Sequence, residues 1–261
     1  MAKNVLSIAP YSYKTYIDLS YEHIIEVGIE YVELPIPWEK AHRNETLKLL
    51  EDVGLKISSF YLPFNIKNKK LKDYFNDACL IAKEMGVKIF ILSVNSKKQV
   101  LSKVYSLMKE IGDIAKEHDI TLCMEGHPDL ITNGNIGRET MKNINHPNIR
   151  VNWDTGNIYY YNEKIDDRPT DGIKEMKKIA PWLGSVHLKD TNGKPNEWHF
   201  PALGEGIVDF KKVFKVANKA GIYGPFTMEL EGIYGEKMEF EGYKKRVENS
   251  FAYLKSLGVL D

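Results

Sequence analysis

A single-domain α/β fold, the (β/α)8 TIM barrel, is what this 261-residue sequence predicts. Three observations predict it. Short β-branched or aromatic runs alternate with amphipathic stretches of helical period, and eight such strand-like runs occur in order. The length is close to typical for that architecture. No proline-rich or low-complexity linker divides residues 1–261, so one domain is expected.

The strand candidates are VLSIAP (from Val5), YVELP (from Tyr31), KISSFYL (from Lys56) and KIFILSV (from Lys88), then ITLCMEG (from Ile120), IRVNWD (from Ile149), LGSVHLKD (from Leu183) and PFTMEL (from Pro225). Between them, stretches such as LKDYFNDACLIAKEM and VLSKVYSLMKEIGDIAKEH repeat apolar residues three and four apart, which is the helical period. Gly28, Gly54, Gly86, Gly221 and Gly258 fall where helices should stop. An open doubly wound sheet is the alternative architecture. It would usually carry a glycine-rich phosphate loop after its first strand, and IAPYSYKT is not one.

Composition narrows the function. The chain is 43% hydrophobic and 28% charged, ordinary for a protein with a sizeable core. Its 36 basic and 36 acidic side chains cancel, which argues against a nucleic-acid or anionic-membrane partner. No run approaches the roughly 18–20 apolar residues of a membrane span. The N-terminus enters VLSIAP without a charged region and long apolar stretch, so no signal peptide and a cytoplasmic location are expected. Cys79, in a helical stretch, and Cys123, in a strand, are expected to be reduced, buried thiols.

Four of the later strands end in a residue able to bind metal: Glu125, Asp154, His187 and Glu229. Side chains alternate along a barrel strand between the axis and the surrounding helices. Glu125 shares parity with Cys123 and Thr121, Asp154 with Asn152, His187 with Ser185, and Glu229 with Thr227. The bulky residues Leu122, Met124, Trp153, Val186, Phe226 and Met228 take the other face. All four candidates therefore point inward at the C-terminal mouth, where barrel active sites lie. Three inward carboxylates repel one another unless a cation neutralises them. Three oxygen donors and one nitrogen suit one divalent ion: manganese first, with magnesium, cobalt or zinc as alternatives. Four protein ligands leave coordination positions for substrate oxygens.

MEGH, WDTGN, SVHLKD, FPALGEGIVDF and MELEG, in that order, resemble the xylose-isomerase-like TIM-barrel superfamily, and the resemblance covers essentially the whole chain. That superfamily groups sugar isomerases and epimerases, inosose dehydratases and the endonuclease-IV type of abasic-site nuclease. HLKD followed by LGEG looks most like the sugar phosphate isomerase/epimerase family. The resemblance implies a metal-dependent isomerase or epimerase of a sugar or sugar derivative. In such enzymes the metal stabilises an enediolate while two glutamates move the proton, roles that fall here on Glu125 and Glu229. A dehydratase or lyase of a polyol or inosose is the alternative, using the same proton abstraction.

Two remoter readings are an endonuclease-IV-type phosphodiesterase and a non-catalytic sugar-binding barrel. The nuclease branch needs further histidines after strands three and four, where this chain reads FYLPFN and LSVNS. Retention of all four ligands counts against the non-catalytic barrel.

The chain departs from its relatives in two places. Asn157 stands where many members have a histidine, and the loop KDTNGKPNEWHF offers Lys189 and Lys194 rather than the arginine of ketose 3-epimerases. Expected substrate-binding residues are Glu33, by inward parity, Lys189, by parity with His187, Asn157, and the loop histidines His127 and His199. Glu33 reads equally as a barrel salt bridge. Gly204 and Gly206 are expected to shape the seventh loop. Tyr159 to Tyr161 and Trp198 could wall a sugar pocket or meet another chain; exposed loop aromatics point to a homodimer or homotetramer.

Overall fold

The structure is a computed structural model that describes residues 2–162 and 170–260. In chain order the strands are β1 (Leu6–Ile8), β2 (Tyr31–Pro35), β3 (Lys56–Tyr61), β4 (Ile89–Leu92) and β5 (Thr121–Glu125), then β6 (Ile149–Asp154), β7 (Leu183–Leu188), β8 (His199–Phe200), β9 (Phe226–Met228) and β10 (Gly232–Ile233). The helices are α1 (Ile17–Val27), α2 (Lys40–Val53), α3 (Leu71–Glu84), α4 (Leu101–Glu117) and α5 (Gly134–Ile144), then α6 (Asn157–Tyr160), α7 (Gly172–Ile179), α8 (Phe210–Lys219) and α9 (Phe240–Ser256). Strands β1 to β7 and β9 pair in parallel, and β9 pairs back onto β1, so the sheet closes as a barrel. Each of the eight expected strands is present.

Helix ends follow the sequence signals. Gly28 takes a left-handed φ of 99° and donates its N–H to the carbonyls of Ile24 and Ile25, stopping α1 one turn before β2. A side chain there would pay the left-handed steric cost that glycine avoids.

Two layers pack around the barrel wall. The outer one is apolar: Phe210, Val213, Phe214 and Ala217 recur at helical spacing on α8 and are buried, with Phe214 stacked on Phe226 of β9 at 4.1 Å between ring centroids. Burying one such ring stabilises the fold by roughly 1.5–3 kcal/mol. The inner layer is small and polar. Ser185 donates to Asn152 at 2.8 Å, Ser7 and Ser58 share a 2.7 Å hydrogen bond, and Ser59 donates to Glu33 at 2.7 Å. These bonds satisfy groups that would otherwise be costly to bury. Cys79 and Cys123 are both free and buried.

The expected periodicity gave no sign of β8 and β10, which pair antiparallel as a short ribbon beside the mouth. At two residues apiece they are too short to show a period. Among the described residues no helix is long and apolar enough to cross a membrane.

Candidate metal centre at the barrel mouth

Strands β5 and β6 end on Glu125 and Asp154, β7 carries His187 one residue before its end, and Glu229 follows β9 directly. Asp154 lies opposite His187 in the β6–β7 register. One donor atom from each of Glu125, Asp154, His187 and Glu229 falls within 4.8 Å of the other three, and all four residues are buried. Parity along separate strands has thus become one cluster.

The local hydrogen bonds leave the right atoms over. Oδ1 of Asp154 accepts the N–H groups of Gly156 and Asn157, each at 2.8 Å, which starts α6 and turns Oδ2 toward the cluster. His187 sets Nε2 against Glu33 Oε1 at 3.1 Å. With that nitrogen turned to Glu33, Nδ1 is the ring nitrogen that faces the cluster, 3.2 Å from Glu125 and 3.5 Å from Glu229. Asp154 Oδ2, His187 Nδ1 and Glu229 Oε2 are buried without a well-aligned hydrogen-bond partner, although Lys189 Nζ approaches the two oxygens at 2.9 and 2.5 Å. Donor atoms short of hydrogen bonds and converging on one point fit a divalent ion.

The electrostatics are strongly coupled. Burial works against charge on His187, yet the carboxylates of Glu33 and Glu125 outweigh it and push the imidazole up to about 10. Burial alone would raise Glu125, but hydrogen bonds from His127 and His187 hold it well below the usual carboxylate range. Burial and the neighbouring Glu231 charge push Glu229 upward, against the pull of Lys189. The two glutamates are therefore held in opposite senses.

A cavity of about 330 Å³ opens over the cluster, walled by Glu125, His127, Asn157, Lys189 and Glu229 together with Tyr11, Tyr61, Tyr161, Trp198 and Glu231. Lys189 is clamped. Its backbone N–H reaches Thr155 Oγ1 at 2.9 Å, and its ammonium lies 5.1 Å from the Phe200 ring centroid and 3.3 Å from Asn157 Oδ1. Its chain passes so close to Gly156 that a Cβ there would meet Lys189 Cγ at 2.7 Å. His127 Nδ1 sits 3.0 Å from Glu125 Oε2.

Two expected substrate contacts lie elsewhere. Glu33 is buried beneath His187, bonded to Ser59, and does not line the cavity, because it stands two residues short of the end of β2. His199 is turned away from the mouth. Alternation along β8 points Phe200 inward and His199 outward, where it lines a neighbouring cavity with Tyr160 and Tyr234. Three lining residues escaped the sequence reading. Glu231 shares parity with Glu229, a signal already present in MELEG. Tyr61 ends β3 with the parity of Ser59. Tyr11 lies in the 3-10 turn after β1, where no period marks it.

Fold and site define a class: a (β/α)8 barrel with an acid–imidazole cluster able to hold a metal at its C-terminal mouth. The chain belongs to the xylose isomerase-like TIM barrel family, whose model matches residues 21–257. It is similar to an L-ribulose-5-phosphate 3-epimerase of Salmonella heidelberg, 21% identical over 249 residues, covering 85% of this chain and 84% of that one. Among solved structures it is similar to a D-psicose 3-epimerase with D-tagatose from Clostridium cellulolyticum, with TM-score 0.74, 13% identity, and coverage of 98% of this chain and 99% of that one. It is also similar to a probable 3-DHS dehydratase from Bacillus anthracis, with TM-score 0.72, 16% identity, and coverage of 96% and 98%.

Proposed function

We propose that this protein is a divalent-metal-dependent isomerase or epimerase of a small sugar or sugar derivative. The observation that carries the reading is the convergence of Glu125, Asp154, His187 and Glu229 within 4.8 Å at the floor of the mouth cavity. The named activities of the Salmonella and Clostridium relatives support it. A bound ion, manganese being the first to test, would polarise a substrate carbonyl and its neighbouring hydroxyl and so acidify the C–H between them.

The protein's own groups supply the rest. Glu125 and Glu229 line the cavity from strands three apart around the barrel, so a substrate between them meets a carboxylate on each side. One glutamate takes the proton from the carbon as general base. Delivery of a proton by the other to the opposite face gives epimerisation; return to the adjacent carbon gives isomerisation. Asp154 and His187 hold the ion, with Glu33 fixing the imidazole. Lys189, Asn157 and His127 are placed to bind substrate oxygens, and the tyrosines and Trp198 limit access of water.

The likeness to a probable dehydratase supports a second reading, in which the same abstraction is followed by loss of a β-hydroxyl. One experiment separates them. Protein loaded with Mn²⁺ and dialysed should retain the ion by elemental analysis, and in D₂O should wash deuterium into the carbon α to the carbonyl of a sugar in a ketose and inosose panel. Glu125→Gln and Glu229→Gln should each lower that exchange by about 10²–10⁴-fold. Unchanged exchange in both variants would sink the two-glutamate mechanism. A product lighter by one water moves the protein to the dehydratases.

A further inference from the structure

Among the described residues the cavity lining holds more acidic side chains than basic ones, and each of those basic groups is already engaged. Among the described residues lining the cavity the basic ones are Lys189 and His127. Lys189 Nζ lies 2.9 Å from Asp154, 2.5 Å from Glu229 and 2.9 Å from Glu231. His127 is held by Glu125 at 3.0 Å. Four carboxylates, Glu125, Asp154, Glu229 and Glu231, face Lys189, His127 and the proposed ion, so each cation among the described groups already has an anionic partner. Further out, Arg246 is bonded to Glu236, and Lys14 lies in the field of Glu231 and Glu236.

Barrels commonly hold a phosphate on backbone N–H groups of the loops after the seventh and eighth strands. Here those amides are filled from within. The buried carboxylate of Asp190 accepts the N–H groups of Thr191, Gly204, Gly206 and Val208 at 2.9, 2.8, 2.9 and 3.1 Å. In the eighth loop the Ile233 N–H points at Glu236 Oε2, 3.2 Å away. A phosphate at either place would have to expel an internal carboxylate from its own donors, and like charge opposes its approach.

We infer that this mouth selects an uncharged sugar or polyol over its phosphate ester, and that Glu231 is a specificity-determining residue that enforces the choice. The inference rests on the proposed proton-transfer reading and names its substrate class. Glu231 acts through Lys189: its carboxylate lies 2.9 Å from the one lysine that lines the cavity among the described residues. The phosphate in the Salmonella relative's named substrate has no counterpart among these groups.

Calorimetry on Mn²⁺-loaded protein with ribitol and ribitol 5-phosphate tests the choice without turnover. Ribitol should bind at least about tenfold more tightly, and Glu231→Gln should shift the ratio about tenfold toward the ester by removing one of the three carboxylates around Lys189. The ester binding as tightly as ribitol, neither binding, or a ratio unmoved by a folded Glu231→Gln variant would each overturn the inference. The wild-type comparison decides it alone if the variant folds poorly. A parallel D₂O exchange on the ketose and inosose panel separates the two readings: preference for ribitol with no exchange on any member leaves the binding preference standing and removes the proton-transfer function.

Discussion

Glu33 shows how one residue can be right in direction and wrong in depth. Its inward parity is legible in YVELP, but parity says nothing of how far along the strand axis a side chain lies. The structure seats it below the mouth, where its carboxylate faces His187 Nε2 at 3.1 Å and fixes which imidazole nitrogen points up. Removing that anion while keeping the shape should loosen the ring's orientation. Glu33→Gln is expected to weaken Mn²⁺ binding about 10–100-fold by calorimetry, with an unchanged far-ultraviolet circular dichroism spectrum. Wild-type affinity in that variant would show that Glu33 is only a barrel contact. The convergence of Glu125, Asp154, His187 and Glu229 was legible because each sits at or next to a strand end, where parity and position along the axis are both fixed.

The element that most shapes the site is the loop from β7 to α8. Its course is set by Asp190, whose carboxylate collects four backbone N–H groups, and by Gly206, where a Cβ would stand 2.3 Å from Asp190 Oδ1. The loop then runs through β8, which places Trp198 on the cavity wall and Phe200 against Lys189. Asp190→Ala would leave four amides to find other partners, two of them in fully buried surroundings. The expected loss is on the order of 3 kcal/mol or more in urea unfolding. A loss under about 1 kcal/mol, typical of a surface change, would mean that the loop holds its shape without the carboxylate. Sequence showed the glycines of LGEG as shape-giving but not what they wrap around, since Asp190 and Gly206 meet only after the chain has turned back on itself.

For the whole molecule, closure of β9 onto β1 is what gathers ligands from four strands into one small volume. The same closure leaves Asp154 Oδ2, His187 Nδ1 and Glu229 Oε2 buried without well-aligned hydrogen bonds, with the Lys189 ammonium beside the two oxygens. Binding of an ion to the folded chain alone must then stabilise it. At a free Mn²⁺ concentration a hundred times its Kd the gain is about 2.7 kcal/mol. For a chain of this size that corresponds to a rise in melting temperature of roughly 5–10 °C. Scanning calorimetry with Mn²⁺ and again after chelation should show the rise and its reversal. Identical melting in both conditions would remove the metal centre, and with it the proposed function.

The sequence by itself determined the barrel, because eight period-2 runs separated by helical stretches leave few other ways to bury both patterns. It also determined the direction of Glu125, Asp154, His187 and Glu229, because strand geometry fixes parity locally. Tertiary structure alone decided depth, company and charge balance. Glu33 went beneath His187, Lys189 went among three carboxylates, and Asp190 went into the amides of its own loop. These pairings join residues from separate strands or from opposite ends of a loop. No local period encodes which distant partner will neutralise a buried charge. That is set only when the closed sheet brings the partners within a few ångströms of each other.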